Sequence, residues 1–129
     1  MNVIWNIIKR NRAEEKLINL AAIVENSNDA IIGVNLDWII NSWNKGAERI
    51  YGYNKQEIKD KSISLIFPSS LNENLSDYIK RLKKGDFIEQ FEAKNIKKDG
   101  ERIYVSLSIS PINDLSDELV GISLIIRII

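Results

Sequence analysis

Apolar residues along this chain change their spacing from helical to alternating, and that change lays out the elements. Between residues 3 and 26, Ile4, Ile7 and Ile8 and then Leu17, Leu20, Ala21 and Val24 recur every three or four positions, which predicts a helix. Charged residues from Lys9 to Lys16 interrupt the stripe, so a bend, a solvated middle turn or two differently packed halves is expected. A continuous coiled coil would need several unbroken heptads. Residues 26–29, Asn-Ser-Asn-Asp, form a break, and residues 30–34 and 38–43 then read as two short strands around an Asn35-Leu36-Asp37 turn.

The middle of the chain is heavily punctuated. Asn44 is placed to cap a helix that Gly52 closes, and Asn54 with Glu57 reads as a capping box that restarts the helix at once. Ser70 with Glu73 is a second capping box, after which Leu71, Leu75, Tyr78, Ile79 and Leu82 make one apolar face ending at Gly85. From residue 87 the period becomes two. Strands are predicted over 87–96 and 102–112 around Lys97-Lys98-Asp99-Gly100, whose Asp-Gly pair suits a tight hairpin turn.

In the second of these strands Val105, Leu107 and Ile109 share one face, and Tyr104, Ser106 and Ser108 share the other. The last strand, from Leu119 to about Arg127, differs. Val120, Ile122, Leu124 and Ile126 are all apolar, and so is Ile125 on the opposite side, so the strand should be covered on both faces. The N-terminal helix or a second protomer is the expected outer cover. Together the elements predict an α+β domain built on a five-stranded antiparallel sheet, with helices on one face. An N-terminal helix is expected over residues 1–26 and the domain proper over residues 27–129.

Composition narrows the chemistry. The chain has 129 residues, 44% hydrophobic and 28% charged, which suits one soluble globular domain. Lys plus Arg and Asp plus Glu number 18 each, so no net field draws in nucleic acid, and no nucleic-acid partner is expected. Cysteine and histidine are both absent. That removes thiolate nucleophiles, disulfides, His-ligated haem, Cys/His zinc sites and cysteinyl–flavin adducts. With no regularly spaced Asp ligands either, no metal and no cofactor are expected, and any ligand would be held non-covalently. The apolar stretch Val3 to Ile8 is far shorter than the roughly 20 residues of a membrane span, so no membrane insertion and a cytoplasmic location are expected.

Two blocks of wording go beyond these generic features. Ile40-Asn-Ser-Trp-Asn-Lys-Gly-Ala-Glu-Arg-Ile-Tyr-Gly-Tyr and, later, Lys98-Asp-Gly-Glu-Arg-Ile-Tyr-Val-Ser-Leu-Ser-Ile-Ser-Pro-Ile with Leu119-Val-Gly-Ile resemble PAS domains, in the right order and over residues 20–129. The chain departs from the family's usual wording at three places. Asp60 and Asp117 stand where glycine is common, and the chain ends Ile126-Arg-Ile-Ile where kinase-linked members commonly have Asp-Ile-Thr.

The resemblance implies a sensory or interaction module of a signalling protein such as a sensor histidine kinase, with a small pocket between helices and sheet. Carried onto this chain, the inward positions are Ile32, Val34, Phe91, Ala93, Asn95, Val105, Leu107, Ile109 and Ser123, faced by Ile50 and Ile79 from the helices; Trp43 and Tyr51 are further pocket candidates, with core packing the favoured role of Trp43 and helix-end capping the simpler one for Tyr51 and Tyr53. Asn95 and Ser123 are the polar members, and buried polar groups need partners. The dimer or helix-docking face is assigned to Ile4, Ile8, Tyr104, Val120, Ile122 and Leu124. A homodimer and an effector domain are the expected partners. A ligand-free dimerisation module is the alternative, and a small enzyme using Glu48, Glu57 or Asp60 is disfavoured because no nucleophile or histidine converges on them.

Overall fold

The structure is a computed structural model that describes residues 3–67 and 75–129, with side chains described from residue 12 onward except that of Glu89. The expected box of Ser70 and Glu73, together with Leu71, lies outside the described residues. Ile4 and Ile8 belong to the first helix, but their side chains lie outside the described ones.

Helix α1 (Val3–Asn26) runs without a break despite its interrupted stripe. It is followed by strands β1 (Ala30–Val34) and β2 (Ile40–Trp43), then by helices α2 (Lys45–Tyr51) and α3 (Lys55–Ile58), a 3-10 turn (Ile63–Leu65) and helix α4 (Leu75–Lys83). Strands β3 (Ile88–Ile96), β4 (Arg102–Asn113) and β5 (Leu119–Ile128) complete one antiparallel sheet in the order β2-β1-β5-β4-β3. The expected strand over 38–43 is thus shorter. Trp38 takes a left-handed backbone, φ 64°, and its peptide joins the Asn35 turn and the 3-10 turn instead of the ladder.

The caps form as the residues dictate. Asn44 accepts from the Ala47 N–H, Gly52 at φ 85° donates back to the Glu48 carbonyl, and Asn54 and Glu57 exchange both bonds of a capping box. One glycine has a steric reason that its neighbours conceal. A Cβ on Gly46 would stand 2.2 Å from the Asp29 carbonyl oxygen, so only glycine lets α2 dock against the turn before β1.

The core lies between the sheet's inner face and the layer of α2, α3, the 3-10 turn and α4. Register decides which side chains reach it. Ile122, Leu124 and Ile126 on β5 pair with Val34, Ile32 and Ala30 on β1 and with Pro111, Ile109 and Leu107 on β4, and all three β5 residues are fully buried. This reverses the expected phase of the last strand. Ile122 and Leu124 are core residues, not a docking face, and Ser123 points to the outer face opposite Gly33 and Ser110.

The physical reason is an irregularity at the start of β5. Ile112 pairs with Gly121 and Asn113 with Leu119, leaving Val120 as the extra residue of a bulge, exposed and off the regular face. A strict alternation counted from Val120 therefore misassigns the strand. Three large aliphatic side chains fill the inside, and Ile125 is left on the outside beside Ser108.

Among the described residues, α1 does not cover that outer face in the single chain. It meets the domain chiefly at α2, and Leu17, Ile18, Leu20 and Ile23 are exposed, as are Tyr104 and Ile125 on the sheet.

Candidate functional site

Where the C-terminal end of α2 meets β3, two polar side chains are enclosed in the apolar core. Ile50 and Tyr51 close the last turn of α2, which throws the Tyr51 ring inward, fully buried. Its hydroxyl donates to Asn95 Oδ1 at 2.7 Å, across 44 residues of chain. Asn95 stands opposite Ile103 on the inner face and is itself fully buried. Its Nδ2 has no hydrogen-bond partner, the sole such buried side-chain atom among the described residues.

Aromatic contacts and backbone bonds fix this pair. The Trp43 ring lies 5.6 Å from that of Tyr51, tilted by 43°, and its Nε1 donates to the Tyr53 carbonyl at 3.0 Å, so the indole is both packed and satisfied. Lys98 donates its backbone N–H to the Tyr51 carbonyl at 2.8 Å, and Ile96 donates to the Ile66 carbonyl at 2.9 Å. These bonds hold the start of the β3–β4 turn against the helical layer. Outside, Lys98 Nζ pairs with Glu57 at 2.7 Å, and that bond, helped by the Asn54 N–H, holds the Glu57 carboxyl below its usual range. Burial pushes the Tyr51 phenol well above its ordinary value near 10, so the hydroxyl stays protonated and able to donate.

The remaining inward positions fall into two groups. Ile32, Val34, Ile50, Val105, Leu107 and Ile109 are buried in one cluster, while Ile79, Phe91 and Ala93 are half-buried at its margin, with the rings of Phe91 and Tyr78 6.2 Å apart. Ser123 is not among them. Glu48, Glu57 and Asp60 do not converge. Glu48 accepts from the Lys55 N–H, Glu57 is engaged by the capping box and Lys98, and Asp60 donates its N–H to Ile40. Among the described residues no group of three acidic side chains is arranged to hold a metal ion.

A cleft of about 440 Å³ opens between the end of α2 and the β3–β4 turn, lined by Arg49, Tyr51, Gly52, Lys97, Lys98 and Asp99. Sequence reasoning missed it because its cations are far apart in the chain. The pairing of Asn95 with Tyr51 was also not foreseen, although each had been placed near the pocket separately. An Asn inside an otherwise apolar alternating strand was the available signal.

Fold and site together define a small α+β domain whose helical layer encloses a polar pair against one sheet. A family model for the PAS domain matches residues 28–127, and the chain belongs to that family of sensory signalling domains, which are generally not catalysts. Among solved structures it is similar to the PAS domain of a Colwellia psychrerythraea protein, at 25% identity and a TM-score of 0.80, covering 88% of this chain and 96% of that one. It is also similar to the PAS domain of an HTR-like protein from Haloarcula marismortui, at 23% identity and a TM-score of 0.76, covering 94% and 98%. A PAS domain from a two-component sensor histidine kinase aligns at 13% identity with a TM-score of 0.75, covering 91% and 99%. The last two share the fold. None of the curated proteins matches it significantly in sequence.

Proposed function

We propose that this chain is the sensory module of a signal-transduction protein, foremost a sensor histidine kinase, working in the cytoplasm as a homodimer. It binds a small ligand or a partner and passes a shift between two packings to an effector domain, which requires the ligand to bind those packings unequally. The observation that carries the reading is that two apolar surfaces of one chain are both uncovered. Leu20 and Ile23 on α1 are 60% and 68% exposed, and Tyr104 and Ile125 on the outer sheet face are 60% and 42% exposed. A helix of one protomer laid on the sheet of the other would cover both at once, and C2 symmetry would repeat the contact. No helix among the described residues is long and apolar enough to cross a membrane.

Sedimentation equilibrium tests the pairing. Ile125→Lys and Ile23→Lys should each weaken self-association at least about tenfold, the effect of removing one anchor from an interface. A wild-type chain that stays monomeric at about 100 μM, a weak affinity on the usual scale, would refute the homodimer.

The filled inner face favours a second reading, a dimerisation module with no ligand. Ile32, Leu107 and Ile126 leave no exposed surface there. Native mass spectrometry of the purified protein separates the two, since a retained small molecule excludes the ligand-free module.

A further inference from the structure

Strand β3 is an edge of the sheet, and its backbone shows which of its groups can pair further. In the order β2-β1-β5-β4-β3 it has β4 on one side and, among the described residues, no strand on the other. The Ile129 N–H donates to the Tyr104 carbonyl, so Tyr104 turns its backbone toward β5. Lys94, opposite Tyr104, therefore turns its own N–H and carbonyl away from β4, and Glu92, two residues earlier, does the same. At Ile96 that side is already taken, because its N–H donates to the Ile66 carbonyl at 2.9 Å. Among the described residues no hydrogen bond reaches the outward groups of Glu92 and Lys94.

Two features bound the segment that can accept another strand. Register slips between Ile88 and Phe91, which bends the strand at its start, and the Ile96 bond to Ile66 closes it at its end. Between them lie residues 91–95, centred on Ala93. Antiparallel pairing of this segment with itself around Ala93 sets Glu92 of each chain opposite Lys94 of the other. Both are outward-turned residues, so each such pair exchanges both backbone bonds. Shifting the register by two residues sets Glu92 opposite Glu92 or Lys94 opposite Lys94, which is unfavourable, and shifting it by one turns outward groups against inward ones. The charges thus select one register. Both side chains are exposed and neither is in a salt bridge among the described residues, Lys94 Nζ lying 5.3 Å from the Tyr104 ring on the outer face. Phe91 and Ala93, on the inner face, are only half-buried in the single chain.

We infer that β3 is a self-association edge: two chains add antiparallel through residues 91–95, with a two-fold axis at Ala93, and their sheets become one. The occupant is a second copy because the segment's charges are complementary to its own reversed sequence. A lysine on an edge strand generally discourages strand addition, but in this register it meets a glutamate. The contact uses neither α1 nor the outer face of the sheet, so it can join chains already paired through those surfaces. The paired segment is short and buries little area, so the pairing is weak and transient.

Trapping tests it. The chain has no cysteine, so one introduced at Ala93 is its sole thiol. In this register the two Ala93 residues form a non-hydrogen-bonded pair with Cα atoms about 4.5 Å apart, within the span of a disulfide. The full chain carrying Ala93→Cys, oxidised with diamide at about 100 μM, a concentration suited to weak contacts, should become a covalent dimer. It should do so at least about tenfold faster than the chain carrying Leu115→Cys, whose thiol is fully exposed on the turn between β4 and β5. Adding Glu92→Lys to Ala93→Cys sets like charges opposite and should slow the reaction about tenfold, and adding Lys94→Glu as well should restore it. Adding Ile23→Lys instead should leave the rate unchanged. Equal rates at residues 93 and 115, a rate indifferent to Glu92→Lys, a charge swap that restores nothing, or crosslinking lost with Ile23→Lys would each overturn the edge pairing. The comparison of residues 93 and 115 decides the matter even if a charge variant does not fold.

Discussion

Two asparagines are buried among the described residues, and they serve opposite purposes. Asn44 sits where four segments meet. Its Oδ1 accepts from the Ala47 and Ile31 N–H groups, each at 2.9 Å, and its Nδ2 donates to the Val24 carbonyl at 2.7 Å and the Asp29 carbonyl at 3.0 Å. One side chain thus joins the end of α1, the turn after it, β1 and the start of α2. Asn95, equally buried, makes one bond of its possible set, to Tyr51. A satisfied buried amide fixes a structure, whereas a half-satisfied one is a weakness unless something else completes it. The difference separates a residue selected by the fold from one that the fold alone does not explain.

The largest effect that would break the comparison lies at Asn44. Asn44→Leu keeps a similar volume but takes the amide from two N–H groups and the Asp29 carbonyl, leaves the Val24 carbonyl with the Ser27 N–H alone and removes the α2 cap, so it should cost about 3–4 kcal/mol. Urea unfolding measures this, and hydrogen exchange should show the last turn of α1 losing protection. A loss below about 1 kcal/mol, the cost of an ordinary cap alone, would mean that water replaces the side chain and that Asn44 is no junction.

An intermediate effect separates the pair at Asn95 by pH. The Tyr51 phenol is raised by burial, so the unfolded chain releases its proton at a lower pH than the folded one. Its contribution is fully present below the unfolded value near 10 and is lost as pH rises beyond it, by up to about 1.4 kcal/mol per pH unit. Tyr51→Phe should flatten the fall in stability between about pH 10 and 11. Tyr78 is also raised by burial, so the decisive quantity is the difference between wild type and variant. An unchanged slope would show that the Tyr51 hydroxyl reaches water.

The contrast between the asparagines was only partly legible in the sequence. Asn44 announced itself as a cap because capping is local, needing only a backbone N–H three residues on. Its bonds to Val24 and Asp29 depend on how α1 turns into β1, and no spacing records that. Asn95 stood out as polar in an apolar alternation, but its partner is 44 residues away.

The same division holds elsewhere. Asp60 and Asp117 were marked as departures from a common glycine, and both take left-handed backbones, at φ 67° and 61°. Asp117 occupies the turn position that Gly100 fills, at φ 90°, in the preceding hairpin, so one turn type is built from two residues. The phase of β5 was misread because a single bulged residue, Val120, shifts a period of two by a whole face, and a bulge has no reliable signature in an all-apolar strand. Local chemistry is written in the chain, and register over distance is not.

The smallest effect sharpens the comparison most. Asn95→Leu removes the unpartnered Nδ2, which favours the variant, and leaves the Tyr51 hydroxyl without an acceptor, which disfavours it. The two should nearly cancel, leaving stability within about 1 kcal/mol of wild type. Replacing both partners together, Asn95→Leu with Tyr51→Phe, leaves no buried polar group at the centre and should be neutral or slightly stabilising, with a coupling of about 1 kcal/mol across the double-mutant cycle. Urea unfolding of the four proteins gives that coupling directly. If the double variant instead loses several kcal/mol, as Asn44→Leu should, Asn95 is a second structural junction and the contrast between the two asparagines disappears. A neutral double variant means that this fold stands without its central polar pair.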